Sequence, residues 1–223
     1  MTRLVALLGH PVAHSLSPRM QNAAFAARAL DFRYVALDVP PERIEEAVRG
    51  LGALGFAGAN VTAPHKRAVS ALVGSELGSV NTLVFRGDGI DAYSTDAAVL
   101  EGLPSERPAI IGDGGAAAAF RAALPHARVF SRRGEWPPEV GECDLVVNAT
   151  PVKDEVLVRV GAGQTLIDLP YPDSATAAAA REAGATVLDG LDVLVAQGAA
   201  SFERWTGVPA PVDVMRAAVR SPA

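Results

Sequence analysis

The pattern of apolar and polar positions predicts alternating strands and helices through most of the chain. Residues 4–8 form a short apolar run that stops at Gly9, as a buried parallel strand does. After a polar loop, Met20, Ala24, Ala27 and Leu30 give one face of a helix, with Ser17 as its N-cap and Pro18 in its first turn. Residues 34–39 predict a second strand. Residues 41–51 predict a helix that buries Ile44, Ala47, Val48 and Leu51. Residues 56–61 predict a third strand and 66–73 a further helix. Residues 82–86 and 90–94 predict a hairpin about Gly87-Asp-Gly89, followed by a helix over 97–103.

Pro104-Ser-Glu-Arg-Pro108 is polar and bounded by prolines, so a domain boundary is placed near it. A second alternating block follows. Ala109-Ile-Ile runs into Gly112-Asp-Gly114-Gly-Ala116 and an Ala-rich helix. Residues 128–131, 144–148, 165–169 and 186–188 predict strands, and residues 174–183 a helix between the last two. Residues 193–205 and 212–219 predict two closing helices. The expectation is an α/β protein of two domains. Residues 1–96 form a mainly parallel domain onto which 190–223 pack back, and residues 97–189 form a reduced Rossmann domain. The active site is expected in the cleft between them.

Composition narrows the function classes. At 223 residues, 49% apolar and 20% charged, the chain can bury a sizeable core. A net charge of −5 with no basic block argues against nucleic acid as a partner. The apolar start is too short to span a membrane and lacks the features of a secretory signal, so a cytoplasmic location is expected. Cys143, the single cysteine, reads as a buried strand residue. His10 and His14 are separated by Pro11 in a loop, so no metal site is expected.

Candidate chemistry collects at predicted strand ends. Asn60-Val-Thr-Ala-Pro-His-Lys66 holds one of two lysines in a chain with eighteen arginines. A desolvated lysine can pass on a proton, whereas arginine stays charged. Pro64 biases Ala63 toward extended backbone and so fixes the turn that carries Asn60 and Thr62. Ser15 and Ser17 lie where open α/β sheets bind ligands, although Ser17 also suits a helix cap, as does Asp96. The Gly112–Ala116 loop follows a strand and opens a helix, the context in which glycines admit a pyrophosphate. About twenty residues on, the next strand ends in Ser131-Arg132-Arg133 and offers no acidic group to a ribose 2′-hydroxyl. Arginine there suits a 2′-phosphate, hence NADP(H); a solvated arginine pair is the plain alternative.

Eight motifs in order resemble the shikimate dehydrogenase family, including its quinate/shikimate branch. They are Gly9-His-Pro-Val-Ala-His-Ser-Leu-Ser-Pro18, the Lys66 heptapeptide, Val80-Asn81-Thr82, Ser94-Thr-Asp96, the glycine loop, Asn148-Ala-Thr150-Pro, Asp168-Leu-Pro-Tyr171-Pro, and Leu194-Val-Ala-Gln197-Gly with Trp205-Thr-Gly207. The resemblance implies reversible, NADP-dependent reduction of 3-dehydroshikimate to shikimate. It implies Lys66 and Asp96 as the catalytic pair. Ser15, Ser17, Asn60, Thr62, Asn81, Tyr171 and Gln197 would bind the substrate. Gly112, Gly114, Gly115, Ala116, Ser131, Arg132, Arg133, Asn148 and Thr150 would bind the cofactor. A small-molecule substrate is the partner implied, and a homodimer is compatible with the family.

The chain also departs from the family pattern. It is shorter, with compression between Lys66 and Asn81, after Asp96, and after Arg133. Asp113 replaces the usual Ala in the glycine loop and brings a carboxylate near the expected pyrophosphate. Ser94 stands for Asn, Lys153 for Gly, and Asp192-Val193 for Gly-Met. Two other functions stay compatible with these residues. One is a paralogue that binds a shikimate-like ligand but uses its cofactor poorly; the other is a related dehydrogenase acting on quinate or an aminated analogue.

Overall fold

The computed structural model describes residues 1–87, 89–170 and 174–221. The chain is an α/β protein with two five-stranded sheets. It divides into two compact units, Met1–Thr95 with Val195–Ala223, and Asp96–Leu194. Among the described residues, no helix is long and apolar enough to cross a membrane.

In the first unit the strands are β1 (Arg3–Gly9), β2 (Phe32–Asp38), β3 (Gly58–Val61), β4 (Thr82–Arg86) and β5 (Gly89–Tyr93). Their order is β2-β1-β3-β4-β5. β1 runs parallel to both β2 and β3, and β4 and β5 add an antiparallel hairpin. The turn residue Asp88 lies outside the described residues. The helices are α1 (Ser17–Ala27), α2 (Ile44–Ala53, after a 3-10 turn at Pro41–Arg43) and α3 (Lys66–Leu72). One core cluster joins Ala6, Leu8 and Val61 of the sheet to Ile44, Val48, Leu51 and Val69 of α2 and α3. Central strands carry apolar residues on both faces because helices cover both. Elsewhere in the unit Phe25 of α1 stacks on Phe32 and on Phe202, with ring centroids 5.0 and 5.3 Å apart.

The second unit has β6 (Pro108–Ile111), β7 (Arg128–Phe130), β8 (Leu145–Asn148), β9 (Thr165–Asp168) and β10 (Thr186–Leu188), ordered β10-β9-β8-β6-β7. Every neighbouring pair is parallel. Helix α4 (Gly115–Ala123) joins β6 to β7, and α5 (Ala175–Glu182) joins β9 to β10. Ser174 caps α5, its Oγ accepting the Ala177 N–H at 3.0 Å. A six-strand Rossmann sheet carries one more strand beyond the position of β7. Here the chain returns from β7 to β8 through residues 131–144 with no helix or strand. Helix α6 (Gly190–Thr206) begins in the second unit and continues into the first, and α7 (Val212–Arg220) follows it.

Local structure differs from the sequence pattern at four places. Helix α1 has Leu16 in the capping position with no side-chain cap; instead the Ser15 hydroxyl accepts the Ser17 N–H at 3.2 Å. Ser17 is already helical, so its hydroxyl turns inward rather than back onto the helix start. Ala27, expected on the buried face, is exposed. The helix expected over 97–103 is only a 3-10 turn at Ala98–Leu100, with Ala97 rather than Asp96 in the capping position. Gly102 and Pro104 follow directly: glycine is a poor helix former, and proline disfavours helical backbone in the residue before it. Cys143 is buried as expected but precedes β8 rather than lying in it. Burial pushes its thiol pKa up.

Candidate functional site

Parallel pairing of β1 and β3 sets the two N-terminal motif loops side by side. The Thr62 N–H donates to Leu8 O at 2.8 Å and the His10 N–H to Ala63 O at 3.1 Å. A Cβ on Gly9 would stand 2.5 Å from Thr62 Cγ2, so only glycine lets the loops approach this closely. Buried His65 donates from Nε2 to Val39 O at 2.8 Å and ties the Lys66 loop to the end of β2. Lys66 is the first residue of α3 and is half-buried, as are Ser15 and Thr62.

Beneath these loops lies a buried polar network. Asn60, only 4% exposed, accepts the Tyr34 hydroxyl at 2.8 Å. Its Nδ2 faces Asn81 O at 2.9 Å, Ser201 Oγ at 3.0 Å and Thr82 Oγ1 at 3.1 Å. Asn81, 2% exposed, accepts the Thr95 N–H at 2.7 Å and donates to Thr95 Oγ1 at 3.0 Å and Gln197 Oε1 at 3.5 Å. Ser201 donates to Gln197 O at 2.9 Å and lies 2.8 Å from Thr82 Oγ1. The network therefore links β2, β3 and β4 to the turn of α6 that carries Gln197. Burial drives the Tyr34 hydroxyl pKa far above its ordinary value, while a hydrogen bond from Ser17 pulls the other way.

Gly198 brings that turn against α1. A Cβ there would overlap Met20 Cε, and Gln21 donates from Nε2 to Gly198 O at 2.9 Å. Farther along α6, Trp205 donates from Nε1 to Leu83 O at 2.9 Å, its indole filling the place of a Gly58 side chain.

In the second unit the reversal of strand order falls between β6 and β8, and a cavity of about 240 Å³ opens there. Its lining includes Gly112, Asp113, Ser131, Arg132, Arg133 and Thr150. Gly112 has φ 111°, and a Cβ there would lie 3.3 Å from Ala149 O. Added side-chain carbons at Gly114 and Gly115 would meet nothing within 4 Å, and Gly114 caps α4 with no side-chain hydrogen bond. An open, uncapped N-terminus of a nine-residue helix beside two arginines fits a dinucleotide's phosphates. Arg132 already pairs with Glu155, Nη2 to Oε1 at 2.6 Å.

The structure thus gathers Ser15, Ser17, Thr62, Lys66, Asn81 and Gln197 in the first unit, while Asp96 opens the second. Gly112, Ser131, Arg132, Arg133 and Thr150 line one cavity. Gly114, Gly115 and Ala116 form the exposed start of α4. Four residues take inner positions. Ser17 turns its hydroxyl toward buried Tyr34, and Asn81, 2% exposed, donates to Thr95 and Gln197. Asn60, expected to read substrate hydroxyls, is occupied inside the buried network. Asn148, expected to touch the cofactor, is fully buried; it donates to Asp168 Oδ1 at 2.7 Å and accepts the Thr150 hydroxyl at 2.8 Å. It holds Thr150 at the cavity edge. Tyr171 lies outside the described residues. Tyr34, Ser201 and Glu155 gave no signal in the sequence, and Thr95 only as part of the Ser94-Thr-Asp96 motif, because each acquires its partners only in the folded chain.

Comparison with known proteins places this geometry in a family. Residues 7–83 match the shikimate dehydrogenase substrate binding domain, and residues 190–220 match the shikimate 5′-dehydrogenase C-terminal domain. The chain is 42% identical to a shikimate dehydrogenase (NADP(+)) of Anaeromyxobacter sp. (strain Fw109-5), covering 99% of this chain and 97% of that one. It is 39% identical to the shikimate dehydrogenase (NADP(+)) of Methanopyrus kandleri, covering 98% and 95%. Among solved structures, shikimate 5-dehydrogenase from Thermus thermophilus, in complex with NADP(H) and shikimate, superposes with a TM-score of 0.86. It is 28% identical, and the match covers 98% of this chain and 99% of that one. With two family domains matched and such identity across nearly its whole length, the chain belongs to the shikimate dehydrogenase family.

Proposed function

We propose that this chain catalyses the reversible, NADP-dependent reduction of 3-dehydroshikimate to shikimate. The observation that carries the reading is the set of half-buried groups in a chain of this family: the hydroxyls of Ser15 and Thr62 and the Lys66 ammonium after β1 and β3, and the Gln197 amide on α6. A polyhydroxylated acid needs such a shell, because each buried polar group left unpaired is costly. When bound, NADP(H) would supply or accept a hydride at the substrate's carbonyl carbon.

The protein's part is to place that carbon and manage the proton. As hydride reaches the carbon, the ketone oxygen takes a proton and becomes the alcohol. Lys66 supplies it, and in the reverse direction receives it; an arginine could do neither. Asp96 orients the lysine and the reacting hydroxyl. Ser15 holds the substrate carboxylate and Thr62 and Gln197 hold ring hydroxyls, while the buried Ser17 and Asn81 position these groups from behind. Asn81 Nδ2 lies 3.5 Å from Gln197 Oε1 and helps to orient that amide. Residues 1–96 with 190–223 would form the substrate side, and 97–189 the NADP side, with Arg132 and Arg133 on the 2′-phosphate.

The test is NADPH oxidation with 3-dehydroshikimate by the wild type and by Lys66→Ala. Turnover that falls at least about a hundredfold in the variant, the scale of lost acid–base catalysis, supports the reading. Wild type that binds shikimate but does not oxidise NADPH would refute it and leave a ligand-binding paralogue.

A further inference from the structure

We propose that Glu155 is a cofactor-specificity residue: its carboxylate holds Arg132 in place of a 2′-phosphate and weakens the chain's preference for NADP(H) over NAD(H). The inference rests on the function proposed above. In dinucleotide-binding folds an acidic residue at the end of the second strand grips the ribose 2′-hydroxyl, and an arginine there receives the 2′-phosphate. By sequence, β7 ends in Ser131-Arg132-Arg133 with no acidic group. The fold supplies one from elsewhere: Glu155, in the loop after β8, reaches Arg132 at 2.6 Å. Arg132 also sits over Trp136, 5.8 Å from the ring centroid. Both Arg132 and Trp136 line the 240 Å³ cavity, together with Arg133 and Asp113.

A guanidinium presents the same donor fork to carboxylate and to phosphate. A 2′-phosphate must therefore displace Glu155 from Arg132 or lie beside it as a like charge. NAD(H) carries no such group, so it escapes that cost, and its 2′-hydroxyl could donate to the same carboxylate. Asp113 puts a negative charge in the cavity lining beside Arg132 and Arg133, while Glu155 neutralises Arg132 from outside that lining. A site expected to be cationic is close to balanced, which lowers the advantage of the phosphorylated cofactor. Arg132 and Glu155 are both more than half exposed, so the effect is moderate and the pair contributes little to folding.

The experiment is calorimetric titration of full-length wild type and Glu155→Gln with NADP+, NAD+ and adenosine 2′,5′-bisphosphate, alongside melting temperatures. The expected result is about two- to fivefold tighter binding of NADP+ and the bisphosphate by the variant, the scale of a surface pair. NAD+ does not tighten, and the melting temperature holds. In an Arg132→Gln background the same substitution should have no effect. Weaker NADP+ binding by Glu155→Gln would mean that the carboxylate only pre-orients Arg132, and would overturn the proposal. An unchanged affinity, or an equal shift for NAD+, would also overturn it. Wild type that binds neither dinucleotide would sink the proposed function and this inference with it; binding by wild type separates the two.

Discussion

Replacing Asn60 by leucine separates a structural role from a substrate contact. The side chains are similar in size, so the main loss is polar. The substitution removes the acceptor of the Tyr34 hydroxyl, at 2.8 Å, and the donors to Asn81 O and Ser201 Oγ, at 2.9 and 3.0 Å. Each partner keeps another bond: Tyr34 to Ser17, Asn81 O to the Val61 N–H, and Ser201 to Gln197 O. The cost is therefore near the net worth of three buried hydrogen bonds, about 3 kcal/mol at roughly 1 kcal/mol each. That is a large share of a typical domain's ~5–15 kcal/mol. For a chain of this length it should lower the melting temperature by about 6–12 °C. The assay is thermal unfolding by circular dichroism, with calorimetric shikimate binding below the transition. A variant as stable as wild type that has lost shikimate affinity would refute the structural assignment and return Asn60 to the substrate.

Three further expectations follow from single contacts. Gly198→Ala drives a methyl into Met20 of α1, and overpacking there should cost about 1–3 kcal/mol in a denaturant titration; Met20→Ala in the same chain should restore part of it. Tyr34 makes stability fall at high pH. Its native pKa is raised above 10.0, so between that value and its native pKa the unfolded chain has lost a proton that the native chain keeps. The contribution is full below pH 10.0 and declines above it by up to about 1.4 kcal/mol per pH unit. Tyr34→Phe should flatten that alkaline slope, and an unaltered slope would exclude Tyr34 as its source. Ser174→Ala removes the one side-chain cap of α5 and should cost about 1 kcal/mol in chemical unfolding, with cofactor affinity retained.

Local chemistry made much of the fold legible before any coordinates. Apolar runs ending at glycine marked β1 and β6, and their spacing from amphipathic segments gave the strand–helix alternation. The glycine loop announced an open, exposed helix start because glycines there leave the backbone uncovered. Lys66 stood out because, in an arginine-rich chain, a lysine can give up a proton where an arginine cannot. Near Ala97 the same logic failed, since a run of helix-compatible residues is too short to form a helix when Gly102 and Pro104 close it.

What the sequence by itself determined was the identity and order of the reactive groups, for these depend on residue type and on spacing along the chain. Which of them stay accessible and which are enclosed was decided by pairing across the sheet. Asn60 and Asn148 look like binding residues in one dimension, yet the folded sheets and α6 set them among partners from β2, β4, α6 and β9, where burial requires that every donor find an acceptor. Glu155 reads as an ordinary loop acid until the return from β8 carries it to Arg132, twenty-three positions earlier. Hydrogen-bond satisfaction and charge pairing act at a few ångströms, and only the tertiary fold sets which distant residues come within that range.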